Sequence, residues 1–173
     1  MSDHFIPITA ADIATAAPLA GQLLALNNSH ARELSWLEHD RLKHLVATAF
    51  FAARIGDADA FMIAFDQHAD YDSPNFVWFR DRYPRFIYVD RIVVSAQARG
   101  RGHAQSLYTA LFEAARNAGH KWVVCEVNSD PPNPNSDAFH AKNGFTAVDT
   151  AHIDGGRKSV RYLARRLSSA AGA

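Results

Sequence analysis

The chain has 173 residues, of which 48% are hydrophobic and 21% are charged, a composition typical of one globular domain with a buried core. Its 18 basic and 18 acidic residues cancel, which excludes a global electric field that would recruit nucleic acid or a membrane surface. The single cysteine, Cys125, excludes an internal disulfide framework and a cysteine-cluster zinc site, and it suits a reducing compartment.

The N-terminal residues show no secretion signal, because no basic region precedes an apolar block. The Ala-rich stretch from Ala10 to Leu26 contains Asp12, Pro18 and Gln22, so it is too broken to span a bilayer. We therefore expect a cytoplasmic protein that does not bind membranes.

The first part of the chain predicts two helices between short strands. Phe5–Ile8 is an edge-strand candidate because it contains a proline. Asp12 can cap a helix that runs to about Leu26. Ser35-Trp36-Leu37-Glu38 has the spacing of a capping box, which predicts that a second helix begins there. Two strands are expected next, at Phe50–Ile55 and Phe61–Phe65.

A long polar and aromatic segment, Asp66–Arg85, follows these strands. A loop of this length is typically functional or disordered, and its aromatic residues argue against disorder. Phe86–Val94 is the predicted central strand, His103–Ala118 a helix with one apolar face, and Trp122–Val127 a strand covered on both faces. A strand, helix and strand of these lengths predict a parallel pair with a right-handed crossover.

The last part of the chain predicts a short helix and a terminal hairpin. The expected elements are a helix at Ser136–Lys142, a strand from Phe145 to Val148 and a strand at Lys158–Leu163. Neither an internal repeat nor a linker is evident, so residues 1–167 are predicted to form a single domain. The small residues of 168–173 predict a flexible tail.

The most specific local pattern is a strand followed by a Gly-x-Gly loop and a helix start. Gly100 and Gly102 lack the Cβ atoms that would keep a phosphate away from the loop amides, and Arg99 and Arg101 add positive charge. A dinucleotide fingerprint would need a third glycine where Gln105 stands, and the Gly-Lys-Ser/Thr of a Walker A loop is absent. The pattern predicts an anion site. The alternative is a glycine-rich turn whose arginines are merely solvated.

Two motifs resemble the GCN5-related N-acetyltransferase (GNAT) superfamily. The run from Arg99 to Ala104 is similar to its Arg/Gln-x-x-Gly-x-Gly/Ala acyl-CoA loop. The segment from Asn133 to Phe145 is similar to its Asn-x-x-Ala-x-x-Leu-Tyr-x-x-x-Gly-Phe segment, with Ser136, Phe139 and His140 at three of the motif positions. The resemblance covers about Phe61 to Leu163, and the first sixty residues agree only coarsely.

The resemblance implies an α/β fold in which helices flank a central, mixed, splayed β-sheet. It also implies acetyl-CoA as cofactor, with no metal. The pantetheine arm would meet main-chain groups of the central strand, the diphosphate would meet the glycine loop, and the second motif would contact the cofactor from the other side. The implied cofactor-binding residues are Ile92, Val93, Val94, Arg99, Gly100, Arg101, Gly102, His103, Ala104, Asn133, Ser136 and Phe139.

Acyl transfer to an amine needs a proton acceptor for the amine and a proton for the departing thiolate. The family usually places a tyrosine acid where this chain has His140, which can also donate a proton near neutral pH. The alternatives for His140 are a cap on the cofactor sulfur and a plain surface residue. For the base, Asp90 stands on an otherwise apolar strand, although pairing with an arginine or a helix end is the simpler explanation. Glu33 is the second carboxylate candidate.

The sequence therefore predicts an acetyl-CoA-dependent N-acetyltransferase that acts by direct transfer on a primary amine of a small molecule or a peptide. The alternative is a non-catalytic acyl-CoA-binding sensor or scaffold, which the replacement of tyrosine by His140 suggests. A nucleotide- or nucleic-acid-binding module is a third hypothesis, and the zero net charge weighs against it. The resemblance also implies a homodimer through terminal strands as one candidate assembly.

Overall fold

The computed structural model describes residues 4–14 and 18–169. Two short 3₁₀ turns, Ala96–Ala98 and Asp154–Gly156, accompany the regular elements. In chain order these elements are β1 (Ile6–Pro7), α1 (Ala10–Ala14), α2 (Pro18–Asn28), α3 (His39–Thr48), β2 (Phe51–Ile55), β3 (Ala60–Asp66), α4 (Pro74–Arg80), β4 (Phe86–Val94), α5 (His103–Asn117), β5 (Trp122–Asp130), α6 (Pro134–Lys142), β6 (Thr146–Ile153) and β7 (Lys158–Arg166).

The strands form a mixed sheet in the order β1-β2-β3-β4-β5-β7-β6. β1 pairs antiparallel with β2, and β2 with β3. β4 and β5 are parallel, with Phe86 opposite Trp122 and Tyr88 opposite Val124. β7 lies antiparallel between β5 and β6. The predicted fold class, a mixed α/β sheet with flanking helices, is confirmed.

The chain divides into two compact units, and two of the boundaries between them fall inside β4 and α5. The first unit contains the described residues up to Asp70 together with Val89–Ala114, and the second contains Tyr71–Tyr88 and the described residues from Ala115 onward. Residues 170–173 of the predicted tail lie outside the described part of the chain. The single domain over residues 1–167 stays a prediction.

The core of the first unit is built on β3 and α5. Residues 60–65 are all completely buried, as expected for an apolar strand covered on both faces. On α5, Leu107, Tyr108 and Leu111 are completely buried at helical spacing. The helix therefore turns one apolar face inward, as its sequence pattern predicts.

An aromatic cluster forms the core of the second unit. Phe76 and Phe79 of α4 are completely buried, and their rings lie 5.7 and 6.5 Å from that of Phe86. Phe76 also meets Tyr88 edge-on at 5.6 Å, an arrangement favoured by the ring quadrupoles. These contacts fix α4 against the first residues of β4.

Most predicted elements are confirmed with shifted ends. β4 has the predicted bounds, and α5 ends one residue early, before Gly119, whose φ of +78° suits a glycine at the helix end. The edge position of β1 is also confirmed. β5 and β7 each extend three residues beyond their predicted ends, and β6 reaches Ile153 rather than Val148.

Three local predictions are wrong. The first helix is capped by Thr9, whose hydroxyl accepts from the Asp12 amide at 3.3 Å while the Asp12 carboxylate accepts from the Thr9 amide at 2.8 Å. Asp12 is therefore the fourth residue of a capping box, at the third position of the helix, rather than the cap. The second helix begins at His39 and not at the Ser35 capping box. Finally, the segment Asp66–Arg85 contains α4 instead of being a loop throughout.

The continuity of the predicted Asp12–Leu26 helix falls on residues 15–17, which lie outside the described residues. On either side, α1 and α2 are helical. None of the described helices has both the length and the apolar character that crossing a bilayer requires.

Candidate active site

The glycine loop lies in the first unit, between the end of β4 and the start of α5. Gly100 and Gly102 have φ values of +77° and +83°, the left-handed region that favours glycine. A Cβ atom built on either glycine would meet nothing within 4 Å. The loop thus needs glycine for its backbone shape, and the space beside both residues is open to a ligand.

The start of α5 supplies the chemistry of an anion site. The Ser106 amide donates to the Gly102 carbonyl at 2.9 Å, which closes the first turn of the helix. Amides before that bond have no acceptor within the helix, and the helix dipole places partial positive charge there. Arg99 and Arg101 are exposed beside this turn. The loop therefore fits the diphosphate of acetyl-CoA, because it combines open glycine positions, a helix start and two exposed arginines.

The loop also contacts the segment that follows α2. The Arg99 Nη2 atom lies 3.1 Å from the His30 Nε2 atom. The His30 Nδ1 atom lies 3.1 Å from the Leu26 carbonyl, so Nδ1 carries the hydrogen and Nε2 accepts from the guanidinium. An arginine of the proposed anion site is thus held by the chain segment that follows α2.

The two carboxylates predicted from the sequence occupy contrasting environments in this unit. The Asp90 side chain is only 4% exposed, and its Oδ2 lies 2.7 Å from the Nε of Arg91. Glu33 is exposed, in a turn where its amide donates to the His30 carbonyl at 3.1 Å. Asp90 is thus placed in a buried ion pair, the simpler of the two explanations given for it above, and Glu33 is placed at the surface.

The second motif forms α6 in the second unit. The Asn133 side chain caps this helix, since its oxygen accepts from the Ser136 amide at 3.3 Å. Phe139 is half-buried and its ring meets that of His140 edge-on at 5.5 Å. The Asn-x-x-Ser spacing is therefore explained by a helix cap, which leaves the cofactor contact of Asn133 a prediction.

His140 is buried, with only 5% of its surface exposed, between the rings of Phe139 and Phe145. Its Nδ1 lies 2.7 Å from the Ser136 carbonyl, so this nitrogen carries a hydrogen and the lone pair of the neutral ring is on Nε2. Burial lowers the pKa of His140, although the Ser136 hydrogen bond and the charge of Asp137 oppose the shift. The neutral ring therefore dominates at neutral pH.

A polar cluster of the second unit was missed by the sequence analysis. It centres on Glu126 of β5, whose Oε1 accepts from the Tyr88 hydroxyl at 2.8 Å and from the Asn75 amide at 3.1 Å. The Asn75 oxygen in turn accepts from the Tyr162 hydroxyl at 2.8 Å. One sequence signal was available, because Glu126 is a carboxylate inside the apolar run Trp122–Val127.

The predicted residues therefore fall into two groups. The first unit holds the glycine loop together with Ile92, Val93 and Val94 of β4, and it also holds Asp90 and Glu33. The second unit holds Asn133, Ser136, Phe139 and His140, as well as the Glu126 cluster. Among the described residues, no group of three or more His, Cys, Asp or Glu side chains is arranged to hold a metal ion.

A mixed sheet with a glycine loop between a central strand and a helix is the arrangement that the resemblance to acyl-CoA-dependent transferases predicts. The sequence model of the acetyltransferase (GNAT) family matches residues 25–145, and the chain belongs to that family. It is accordingly an acetyl-CoA-dependent N-acetyltransferase by class. A search of curated proteins gives no significant match.

Solved structures of low sequence identity share the fold. The ribosomal-protein-S18-alanine N-acetyltransferase from Escherichia coli is 15% identical with a TM-score of 0.68, covering 98% of this chain and 96% of its own. Ard1 from Thermoplasma volcanium is 14% identical with a TM-score of 0.71, covering 98% and 100%. An IAA acetyltransferase from Bacillus cereus is 15% identical with a TM-score of 0.61, covering 95% and 99%.

Proposed function

We propose that this chain transfers the acetyl group of acetyl-CoA directly to a primary amine of a small molecule or a peptide. The observation that carries the proposal is the loop at Gly100 and Gly102. Both glycines are left-handed, both open onto free space, and both stand at the amide-rich start of α5. The loop lies inside the region that matches the family.

Acetyl-CoA, when bound, supplies the thioester whose acetyl carbon is attacked and whose sulfur departs. The amides from Arg99 to Ala104 would hold its diphosphate, with the charges of Arg99 and Arg101 beside them. Main-chain groups of Ile92, Val93 and Val94 would orient the pantetheine arm. From α6, Asn133, Ser136 and Phe139 are the residues assigned to the other side of the cofactor.

Three carboxylates are candidates for receiving the amine proton, and we favour Glu126. Asp90 is already ion-paired with Arg91, so it would have to give up a buried partner to act as base. Glu33 is exposed, where water would compete for the amine. Glu126 is held by two neutral donors on Oε1, and it can take the proton at Oε2, to which neither of them donates.

His140 is proposed as the group that gives a proton to the departing sulfur. Because Nδ1 is committed to the Ser136 carbonyl, the proton would be held at Nε2 of the charged ring. Burial disfavours that charged ring and thereby makes it a stronger acid. The role predicts more His140-dependent activity on the acidic side of neutral pH.

The acceptor is proposed to arrive as an ammonium ion, which gives one proton to Glu126 before the attack. The second proton that its nitrogen loses on acetylation leaves to solvent. The half-buried Glu126 carboxylate, when ionised, attracts a cation. Segment 66–85 contains three arginines that would favour a carboxylate-bearing acceptor. Arg80 and Arg82 lie over the Phe76 and Trp78 rings at 5.9 and 4.4 Å, and Arg85 donates to the Ala118 carbonyl at 3.1 Å. A primary amine is therefore the favoured class.

The proposal is tested by measuring thiol release from acetyl-CoA across a panel of primary amines, with CoA binding measured by calorimetry in parallel. Binding together with amine-dependent thiol release supports it. Binding of CoA without thiol release across the panel supports the sensor alternative, which the replacement of the usual tyrosine by His140 suggests. Absence of CoA binding contradicts both.

A further inference from the structure

Helix α4 carries a polar side chain into the core of the second unit. Asn75 is only 9% exposed, and it bridges two residues that are distant in sequence. Its Nδ2 donates to the Glu126 Oε1 at 3.1 Å, and its Oδ1 accepts from the Tyr162 hydroxyl at 2.8 Å. The Asn75 amide thus links α4 to both β5 and β7.

The direction of these hydrogen bonds follows from chemistry. A carboxylate can only accept, so the Asn75 nitrogen must face Glu126 and its oxygen must face Tyr162. Tyr162 must then donate its hydroxyl hydrogen, and burial together with the Glu126 charge raises the pKa of Tyr162. Tyr88 also donates to Glu126. The known bonds of the cluster all point toward the carboxylate.

The amide is also held firmly in place. Trp78, one turn further along α4, stacks on the Tyr162 ring with centroids 4.4 Å apart and an interplanar angle of 24°. Phe79 meets the same ring edge-on at 5.2 Å. Tyr162 is therefore both the anchor of α4 and the hydrogen-bond partner of Asn75. The Asn75 amide is therefore held by hydrogen bonds at both its nitrogen and its oxygen, which fixes its position relative to Glu126.

We propose that Asn75 is a positioning residue that holds the Glu126 carboxylate in its orientation and charge state for receiving the acceptor amine. This inference rests on the proposed role of Glu126. The Asn75 amide orients the carboxylate by donating to Oε1, and a hydrogen bond donated to a carboxylate favours its ionised form. Segment 66–85, between β3 and β4, thereby contributes to the chemistry of the site as well as to its packing.

The closing experiment compares Asn75→Asp with the wild-type protein. The substitution keeps the shape of the side chain but places a second carboxylate against Glu126, and two such groups cannot both ionise readily. The proton affinity of Glu126 is read in the ligand-free protein from the pH titration of its ¹³C carboxyl resonance, and the kcat/KM profile is read from thiol release.

We expect the titration midpoint of Glu126 and the acid limb of kcat/KM to move together to higher pH, by about one unit or more. At neutral pH, kcat should fall about tenfold while the affinity for CoA stays unchanged. Asn117→Asp introduces the same charge on an exposed residue and should move neither quantity.

Tyr162→Phe gives a second, gentler test, because it retains the ring that stacks on Trp78 and removes only the hydroxyl that Asn75 accepts from. It should shift both quantities in the same direction by a smaller amount. Unchanged profiles in both variants would overturn the inference. If the wild-type protein releases no thiol with any amine, the proposed function fails, whereas the titration still shows whether Asn75 controls Glu126.

Discussion

Arg91 of β4 donates from Nη1 to the side-chain oxygen of Asn27 at 2.8 Å, and both residues are buried, with 4% and 0% exposure. The same guanidinium is neutralised by Asp90 through Nε. The Asn27 nitrogen donates to the Ser35 carbonyl at 3.0 Å. A buried charge on β4 thus holds the end of α2 and the segment that leads to α3.

Arg91→Met is expected to destabilise the protein, because it leaves the Asp90 carboxylate buried without its nearest cation. Breaking such a pair costs about 3 kcal/mol in free energy of unfolding. Urea denaturation measures the loss, and Arg157→Met, an exposed position, should change stability little. Equal stability of the two variants would show that the Asp90–Arg91 pair does not stabilise the fold.

Gly102→Ala is expected to weaken CoA binding about tenfold or more, because its methyl group would enter the space assigned to the diphosphate. The positive φ adds about 1 kcal/mol of backbone strain. Gly155→Ala is a matched control, since Gly155 also has a positive φ and an open Cβ position, in the turn before β7. Both variants should lose similar stability, and calorimetry should show lost CoA affinity for Gly102→Ala alone.

The elements that were predicted correctly are those whose structure is determined by local sequence pattern alone. β4 is an apolar and β-branched run, interrupted only by Asp90 and Arg91, and it has the predicted bounds. α5 shows its buried face at helical spacing, with Gly119 after its end. β4 and α5 flank the glycine loop, so the position of this loop between a strand and a helix could be predicted from residues adjacent in the chain. Local pattern was sufficient there because no distant partner is needed to shape these elements.

The wrong or missed predictions concern features whose structure depends on residues distant in the sequence. The Ser35-x-x-Glu38 spacing is a false capping box, because the Ser35 carbonyl is held by Asn27 and the helix begins only at His39. α4 was missed although Ser73-Pro74 is a typical helix start. The helix is short, and it is stabilised by aromatic contacts with residues outside it, such as that of Phe76 with Tyr88. Glu126 was missed because its partner Asn75 lies 51 positions away.

Glu126→Gln is expected to lower kcat about a hundredfold, because the amide cannot accept the amine proton. The substitution retains the shape of the side chain and an oxygen for the Tyr88 and Asn75 donors, so CoA affinity should be unchanged. Glu33→Gln is the matched comparison at an exposed carboxylate and should retain activity within about a factor of two. Thiol-release kinetics at saturating amine distinguish the two. If kcat falls more in Glu33→Gln than in Glu126→Gln, Glu33 rather than Glu126 is the base.

His140 should make the stability of the protein depend on pH. Burial lowers its pKa below the ordinary value of 6.5, so the unfolded chain binds more protons than the folded protein between those two pH values. The free energy of unfolding therefore rises with pH through this window. The stabilising contribution of neutral His140 is complete above about pH 6.5 and is lost as pH falls toward the lowered value.

The measurement is urea denaturation between about pH 5 and pH 7.5 for the wild type, His140→Gln and the exposed control His44→Gln. The glutamine side chain does not titrate, so the stability difference between wild type and His140→Gln should shrink as the pH falls, while the His44→Gln difference stays flat. The same His140→Gln protein should lose thiol release most strongly at acidic pH, where the wild-type ring is charged and can donate from Nε2. A stability difference that is independent of pH would contradict the burial of a neutral ring, and a loss of activity that is independent of pH would contradict the acid role.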